Sequence, residues 1–112
     1  MSPSRPSPIP LEQLQAAATQ AAVLLKALSN PTRLLLLCQI GQGEYCVGDL
    51  ETLTGIRQPT LSQQLTILRA EALVSTRREG KQIFYRIASS QALAVMHVLY
   101  EQFCPPEKGV SR

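Results

Sequence analysis

Residues 47 to 87 constrain this chain more tightly than any other stretch. Val47-Gly48-Asp49-Leu50-Glu51-Thr52-Leu53-Thr54 reads as a short helix, and Gly55-Ile56-Arg57 leaves room only for a tight turn. A second helical pattern runs from about Gln58 to Ala72, and a hairpin follows from Val74 to Ile87 around Glu79-Gly80-Lys81. In the hairpin, Ile83, Tyr85 and Ile87 alternate with Phe84 and Arg86, which is the period of a strand. Gly80 supplies the backbone freedom its turn needs. Two helices on a three-residue turn, followed at once by a two-stranded wing, make a shape that fits a DNA groove.

The rest of the chain supplies the surroundings of that unit. Leu11, Leu14, Ala18, Ala21, Leu25 and Leu28 recur at steps of three and four, one apolar stripe on a long helix. Asn30 is a good N-cap and Pro31 suits a first helical turn. Leu34 to Ile40, closed by Gly41, is apolar on all sides, which predicts a buried helix. Gln42 to Cys46 reads as a loop. A last helix is expected over about Ser90 to Phe103, with Leu93, Met96, Tyr100 and Phe103 along one stripe, stopped by Cys104-Pro105-Pro106. The expected fold is mainly α with a small β-hairpin, a winged helix-turn-helix spanning 11–104 between a disordered N-terminal tail (1–10) and a C-terminal tail (105–112). The first and last helices carry more apolar surface than so small a domain can cover, so pairing of two chains is their natural outlet.

Composition narrows the classes. At 112 residues and 12.3 kDa the chain has one core, and no apolar run approaches the roughly 18 residues that span a bilayer. The Pro/Ser-rich start lacks the apolar centre of a signal peptide, and three widely spaced cysteines are a poor disulfide framework. A cytoplasmic location is the expectation. No Cys-His pair at motif spacing, Gly-rich phosphate loop or carboxylate cluster suggests an enzyme. The net charge of +3 is unevenly placed: Arg57, Arg69, Arg77, Arg78, Lys81 and Arg86 stand against only Glu71 and Glu79 in their span. A surplus confined to wing and second helix suits phosphate neutralisation.

Leu61, Leu65 and Leu68 claim the inner face of that second helix. Gln58, Thr60, Ser62, Gln63 and Thr66 are left on or beside the outer face. A helix in the major groove meets base edges with its N-terminal residues, where Gln can bond adenine bidentately and Ser or Thr can serve bases or phosphates. Gln58, Thr60, Ser62 and Gln63 are therefore the candidate base and phosphate readers. Arg77, Arg78 and Lys81 of the wing are the candidate backbone or minor-groove contacts. Each taken singly is also an ordinary exposed polar position; the case rests on the set.

Asn30-Pro31-Thr32-Arg33-Leu34, Val47-Gly48-Asp49-Leu50, Gln58-Pro59-Thr60-Leu61-Ser62-Gln63-Gln64-Leu65, Leu68-Arg69 and Arg78-Glu79-Gly80-Lys81 resemble the ArsR/SmtB family of dimeric winged-helix repressors. The likeness covers about residues 11 to 104, with the motifs in order. It implies a homodimer joined through the first and last helices and bound to an inverted repeat of operator DNA.

Many members of that family sense metals, and the ligand inventory here is thin. Cys46-Val47-Gly48 lacks the second cysteine of the two-cysteine metal pattern. On the last helix His97 has only Glu101 nearby, a poor Zn set, so no metal site or cofactor is expected. Cys38 and Cys104, in contrast, resemble the thiol pair of the BigR-like, persulfide-responsive subgroup. That resemblance implies a reduced form that binds DNA and lets go when reactive sulfur species or oxidants join the two cysteines. Cys38 alone also suits a small core residue, whereas Cys104 beside prolines is harder to explain as core filler. Cys46 reads as a bystander. Two alternatives remain open: a thiophilic metal or organometal inducer held by Cys38 and Cys104, or a winged-helix module that binds protein rather than DNA.

Overall fold

The computed structural model describes residues 8–104. The C-terminal tail expected over 105–112 lies outside the described residues, as does the expected N-terminal tail apart from positions 8–10. The elements run α1 (Leu11–Leu28), α2 (Pro31–Ile40), β1 (Tyr45–Cys46), α3 (Val47–Thr54), α4 (Thr60–Ala70), β2 (Val74–Glu79), β3 (Gln82–Ile87) and α5 (Ser90–Phe103). This is a winged helix: mainly α, with a small antiparallel sheet in the order β1-β3-β2.

Local chemistry accounts for the element ends. Asn30 Oδ1 accepts the Arg33 backbone N–H at 3.0 Å, so the N-cap of α2 satisfies a donor that has no partner inside the helix. α3 stops at Gly55, whose φ of 76° is left-handed and whose N–H reaches the Glu51 carbonyl at 3.0 Å. Ser89 caps α5 by accepting from Ala92 N–H at 3.0 Å. α4 is shorter at both ends than the pattern suggests. Its last turn closes with Leu73 N–H on the Leu68 carbonyl and Ala72 N–H on the Arg69 carbonyl, both at 3.0 Å, and Ala72 takes φ 60° where glycine is usual. Ala72 has no glycine-like signature, so the stop is invisible to sequence pattern.

The core is formed where α2, α3, α4 and α5 meet. Leu36, Leu37, Ile40, Leu50, Leu61, Leu65, Leu68 and Met96 are fully buried there. Two expectations need correction. The stretch Gln42–Cys46 is not wholly a loop: Tyr45 and Cys46 form β1, paired with Tyr85 and Phe84 of β3. α2 is not buried on all sides, since Leu35 is 46% exposed. On α5 the inward face is Ala92 and Met96, while Phe103, at the end of the stripe, is 77% exposed, as a helix with surplus apolar surface requires. α1 adds only its C-terminal end to the core, burying Ala27 and Leu28, while Leu11, Leu14, Val23 and Leu25 remain exposed. Most of the exposed large apolar groups lie on α1 and α5, with single ones on α2, α3, α4 and β3, so the two outer helices carry the surface that the isolated chain leaves without a partner.

Candidate DNA interface and thiol pair

α4 presents the polar face that its leucine spacing dictates. Leu61, Leu65 and Leu68 are buried, while Gln58, Thr60, Ser62, Gln63 and Thr66 are all exposed. The face is partly self-bonded. Gln58 Oε1 accepts from the Ser62 N–H at 3.1 Å and from its hydroxyl at 2.8 Å, so Gln58 serves the first turn of α4 as a cap. Thr66 donates to the Ser62 carbonyl at 2.8 Å. Among the described residues, the Thr60 and Gln63 side chains make no internal hydrogen bond and are free to meet a ligand.

The wing divides its charges. β2 and β3 pair from Val74↔Ile87 to Glu79↔Gln82, leaving a two-residue turn with Gly80 at φ 63°. Arg77 is held inside the wing: Nε bonds Glu44 Oε1 at 2.8 Å, Nη1 bonds Glu79 Oε1 at 3.0 Å, and the guanidinium lies 4.8 Å from the Phe84 ring centre. Arg78 and Lys81 are exposed and have no carboxylate partner among the described residues, Arg78 Nε reaching only the Gly80 carbonyl at 3.3 Å. Free positive charge therefore sits at the tip of the wing, and a further exposed cation without a carboxylate partner among the described residues, Arg86, lies nearer its base opposite Ser75. Glu44, which precedes the basic span, was not visible as a partner from charge counting within that span.

Another link escapes pattern reading. Arg33 on α2 is half-buried; its Nη1 donates to Gln64 Oε1 on α4 at 3.3 Å, and its Nε to the Ala27 carbonyl at 2.8 Å. Gln64 is the neighbour of Gln63, so α2 is bonded to the helix that carries the outer polar face.

The thiols sit at the other end of α2. Cys38 is half-buried in the last turn, with Sγ 3.8 Å from Met96 Sδ. Cys104 caps α5, is exposed, and bonds through its N–H to the Tyr100 carbonyl at 3.0 Å. Burial pushes the Cys38 thiol above the usual range, and the nearby Cys104 sulfur adds to the shift by opposing a second negative charge. The Tyr100 phenol is raised for the same reasons, burial first, then Cys38, Cys104 and Tyr45. The two cysteines expected to act together thus share one neighbourhood, with Tyr100 in it. Tyr100 carried no functional signal in the sequence beyond its place four residues before Cys104.

Cys46 lies apart, accepting a weak contact from Gln82 Nε2 at 3.9 Å. His97 is exposed and tilted against Tyr100, with ring centres 6.2 Å apart. Among the described residues no group of three or more His, Cys, Asp or Glu converges on a point.

Comparison with known proteins points to one family of winged-helix regulators. A family model described as "Bacterial regulatory protein, arsR family" fits residues 30–76, from the α2 cap into β2. The biofilm growth-associated repressor of Agrobacterium fabrum is 52% identical over 102 residues, covering 91% of this chain and 87% of that protein. The crystal structure of the transcriptional repressor BigR from Xylella fastidiosa superposes with a TM-score of 0.80 at 47% identity, covering 88% of this chain and 100% of the other. The solution structure of a homodimeric winged helix-turn-helix DNA-binding domain from Mycobacterium bovis, a possible ArsR-family regulator, superposes with a TM-score of 0.67 at 35% identity, covering 80% and 82%.

Proposed function

The chain belongs to the bacterial arsR family of regulatory proteins, and from that premise we propose a homodimeric repressor that releases its operator when reactive sulfur joins Cys38 to Cys104. The observation that carries this reading is the double engagement of α2, which bears Cys38 in its last turn and is bonded to α4 through Arg33 in its first. A change at the sulfur end has a direct mechanical route to the DNA-facing helix.

In this reading α4 enters the major groove with Thr60 and Gln63 toward base edges, and Gln58 and Ser62 hold its first turn against the phosphates. Arg78 and Lys81 follow the backbone beside the wing, and Arg77 fixes the wing's pose. The exposed apolar residues of α1 and α5 meet their copies in a partner, as the homodimeric relative suggests. Two-fold symmetry then calls for an inverted repeat.

The sulfur step uses an organic persulfide, RSSH, as oxidant. Cys104, the exposed thiol, loses its proton and attacks the outer sulfur, giving a Cys104 persulfide and RSH. Cys38 then attacks the inner sulfur, and the departing hydrosulfide takes the Cys38 proton and leaves as H2S. Two protein thiols are oxidised to a disulfide and one sulfane sulfur is reduced to sulfide. A second equivalent of RSSH consumed before closure leaves an additional sulfur atom in the bridge, which spans a wider gap. The link constrains the ends of α2 and α5, and Arg33 carries the resulting tilt to α4.

An electrophoretic shift with the DNA upstream of the chain's own coding region tests the reading. Reduced protein should shift it, persulfide-treated protein should not, and Cys38→Ser should shift it under both conditions. Release by the Cys38→Ser variant sinks the sulfur mechanism. Release by Zn or Cd without any sulfur link assigns the thiols to a soft metal instead.

A further inference from the structure

We infer that Tyr100 is the positioning residue of the sulfur link: its hydroxyl caps the Cys38 carbonyl and thereby seats the last turn of α5, with Cys104, against the last turn of α2. The inference rests on the sulfur-linking reading above and names the residue that governs its rate.

The geometry is specific. The carbonyls of a helix's final turn have no intrahelical donor left to meet. At the end of α2, the Gly41, Gln42 and Gly43 N–H groups go to Leu37, Gln39 and Ile40, and none goes to Cys38. The Cys38 carbonyl is met by side chains instead, the Tyr100 hydroxyl and, more weakly, Gln42 Nε2 at 3.4 Å. Tyr100 sits one helical turn before Cys104, which bonds back to it through the main chain. One phenol thus ties the residue carrying one sulfur to the turn carrying the other.

Gly41 lies beside the same contact. Its φ of −62° is ordinary for any residue, so conformation does not call for glycine. A Cβ there would lie 3.1 Å from the Tyr100 hydroxyl and 3.1 Å from the Leu37 carbonyl, so these neighbours would have to give by a few tenths of an ångström. The chain leaves this position without a side chain where the tyrosine tip docks. Because Tyr100 acts on the backbone of Cys38, it sets where α5 ends, and it is not needed for the first attack by Cys104.

The test uses the full-length reduced protein, glutathione persulfide as probe, quenching with iodoacetamide at intervals, and intact-mass readout. Wild type should form the Cys38–Cys104 link with little Cys104 persulfide building up. Tyr100→Phe, which keeps the ring, should link up to about tenfold more slowly, the scale of one lost hydrogen bond, with the Cys104 persulfide accumulating. The alkylation rate of Cys104 and the operator affinity of the reduced form should stay within about twofold, which a general loss of structure would not allow. Gly41→Ala, whose methyl crowds the hydroxyl while the tyrosine is kept, should slow closure in the same direction, and it serves as the second variant should Tyr100→Phe not fold. A link that forms in these variants at the wild-type rate, without accumulation, overturns the role of Tyr100 and leaves the sulfur reading intact. A wild-type protein that never links overturns both.

Discussion

Arg33 Nη1 on α2 donates to Gln64 Oε1 on α4 across 3.3 Å, while the same guanidinium holds the Ala27 carbonyl at the end of α1 at 2.8 Å. Three helices are registered by one half-buried cation that has no carboxylate partner among the described residues. Such a charge is costly to shield unless its donors are used. Its bond to Gln64 is the polar tie between α2 and the helix proposed to read DNA.

Gln64→Ala removes that tie without touching the outer face. Operator affinity of the reduced protein should fall by about 0.5–1.5 kcal/mol, the range for a single hydrogen bond. The ratio of affinities before and after sulfur linking should shrink as well, because α2 has lost its grip on α4. Fluorescence anisotropy with labelled operator, reduced and persulfide-treated, measures both.

Gln63→Ala addresses base reading. Its side chain is exposed and free of internal hydrogen bonds among the described residues. Binding to the operator should weaken by about 1–3 kcal/mol with an unchanged salt slope, and preference at one base position should relax. Full affinity and preference in a competition against substituted operators would reduce Gln63 to a bystander.

The wing cations should separate. Arg78→Ala should weaken binding to all sequences alike and lower the slope of log affinity against log salt by about 1, as loss of a phosphate contact does. Arg77→Ala should change the slope less, since Glu44 and Glu79 already neutralise that guanidinium. Its effect should instead be a wing that opens earlier in hydrogen exchange. Titrations at several salt concentrations compare the two directly.

The raised Cys38 pKa fixes a pH dependence. The attacking form of Cys38 is the thiolate, so closure of the link should keep accelerating with pH past about 8.5, where an ordinary thiol levels off. Linkage runs the opposite way for stability. The folded state keeps a proton that the unfolded chain releases at lower pH, so Cys38's contribution is complete below the ordinary thiol value and is lost as pH climbs toward the higher folded one. Stopped-flow kinetics of closure from a preformed Cys104 persulfide, and thermal melts, over pH 7 to about 10 read both trends; a closure rate that levels off at about 8.5 would contradict the burial of Cys38.

The helix-turn-helix was legible in the sequence because its signals are local. The apolar steps of α4, the Gly55 stop and the alternation in β3 each involve residues a few positions apart, and the structure keeps all three. So, too, was the split of α4 into buried leucines and exposed polar residues. The chain spacing also suggested that α1 and α5 carry surplus apolar surface, which the exposure of Leu11, Leu14, Leu25 and Phe103 matches. Pattern failed where local preference was overruled: Ala72 ends α4 in a glycine-like conformation, and Tyr45-Cys46 becomes a strand only because β3 lies beside it.

What the sequence determined alone is therefore the five helices, the β2–β3 hairpin and the inward face of α4, since these follow from periods of two and about 3.6 residues. What tertiary structure decided is how those elements are tied. Tyr100 meets Cys38 across 62 positions, Glu44 meets Arg77 across 33, and Arg33 meets Gln64 across 31. No periodicity encodes such pairs. They exist because packing of the leucine core brings distant helix ends together, and only then do a phenol, a carboxylate or an amide find the one polar group within reach.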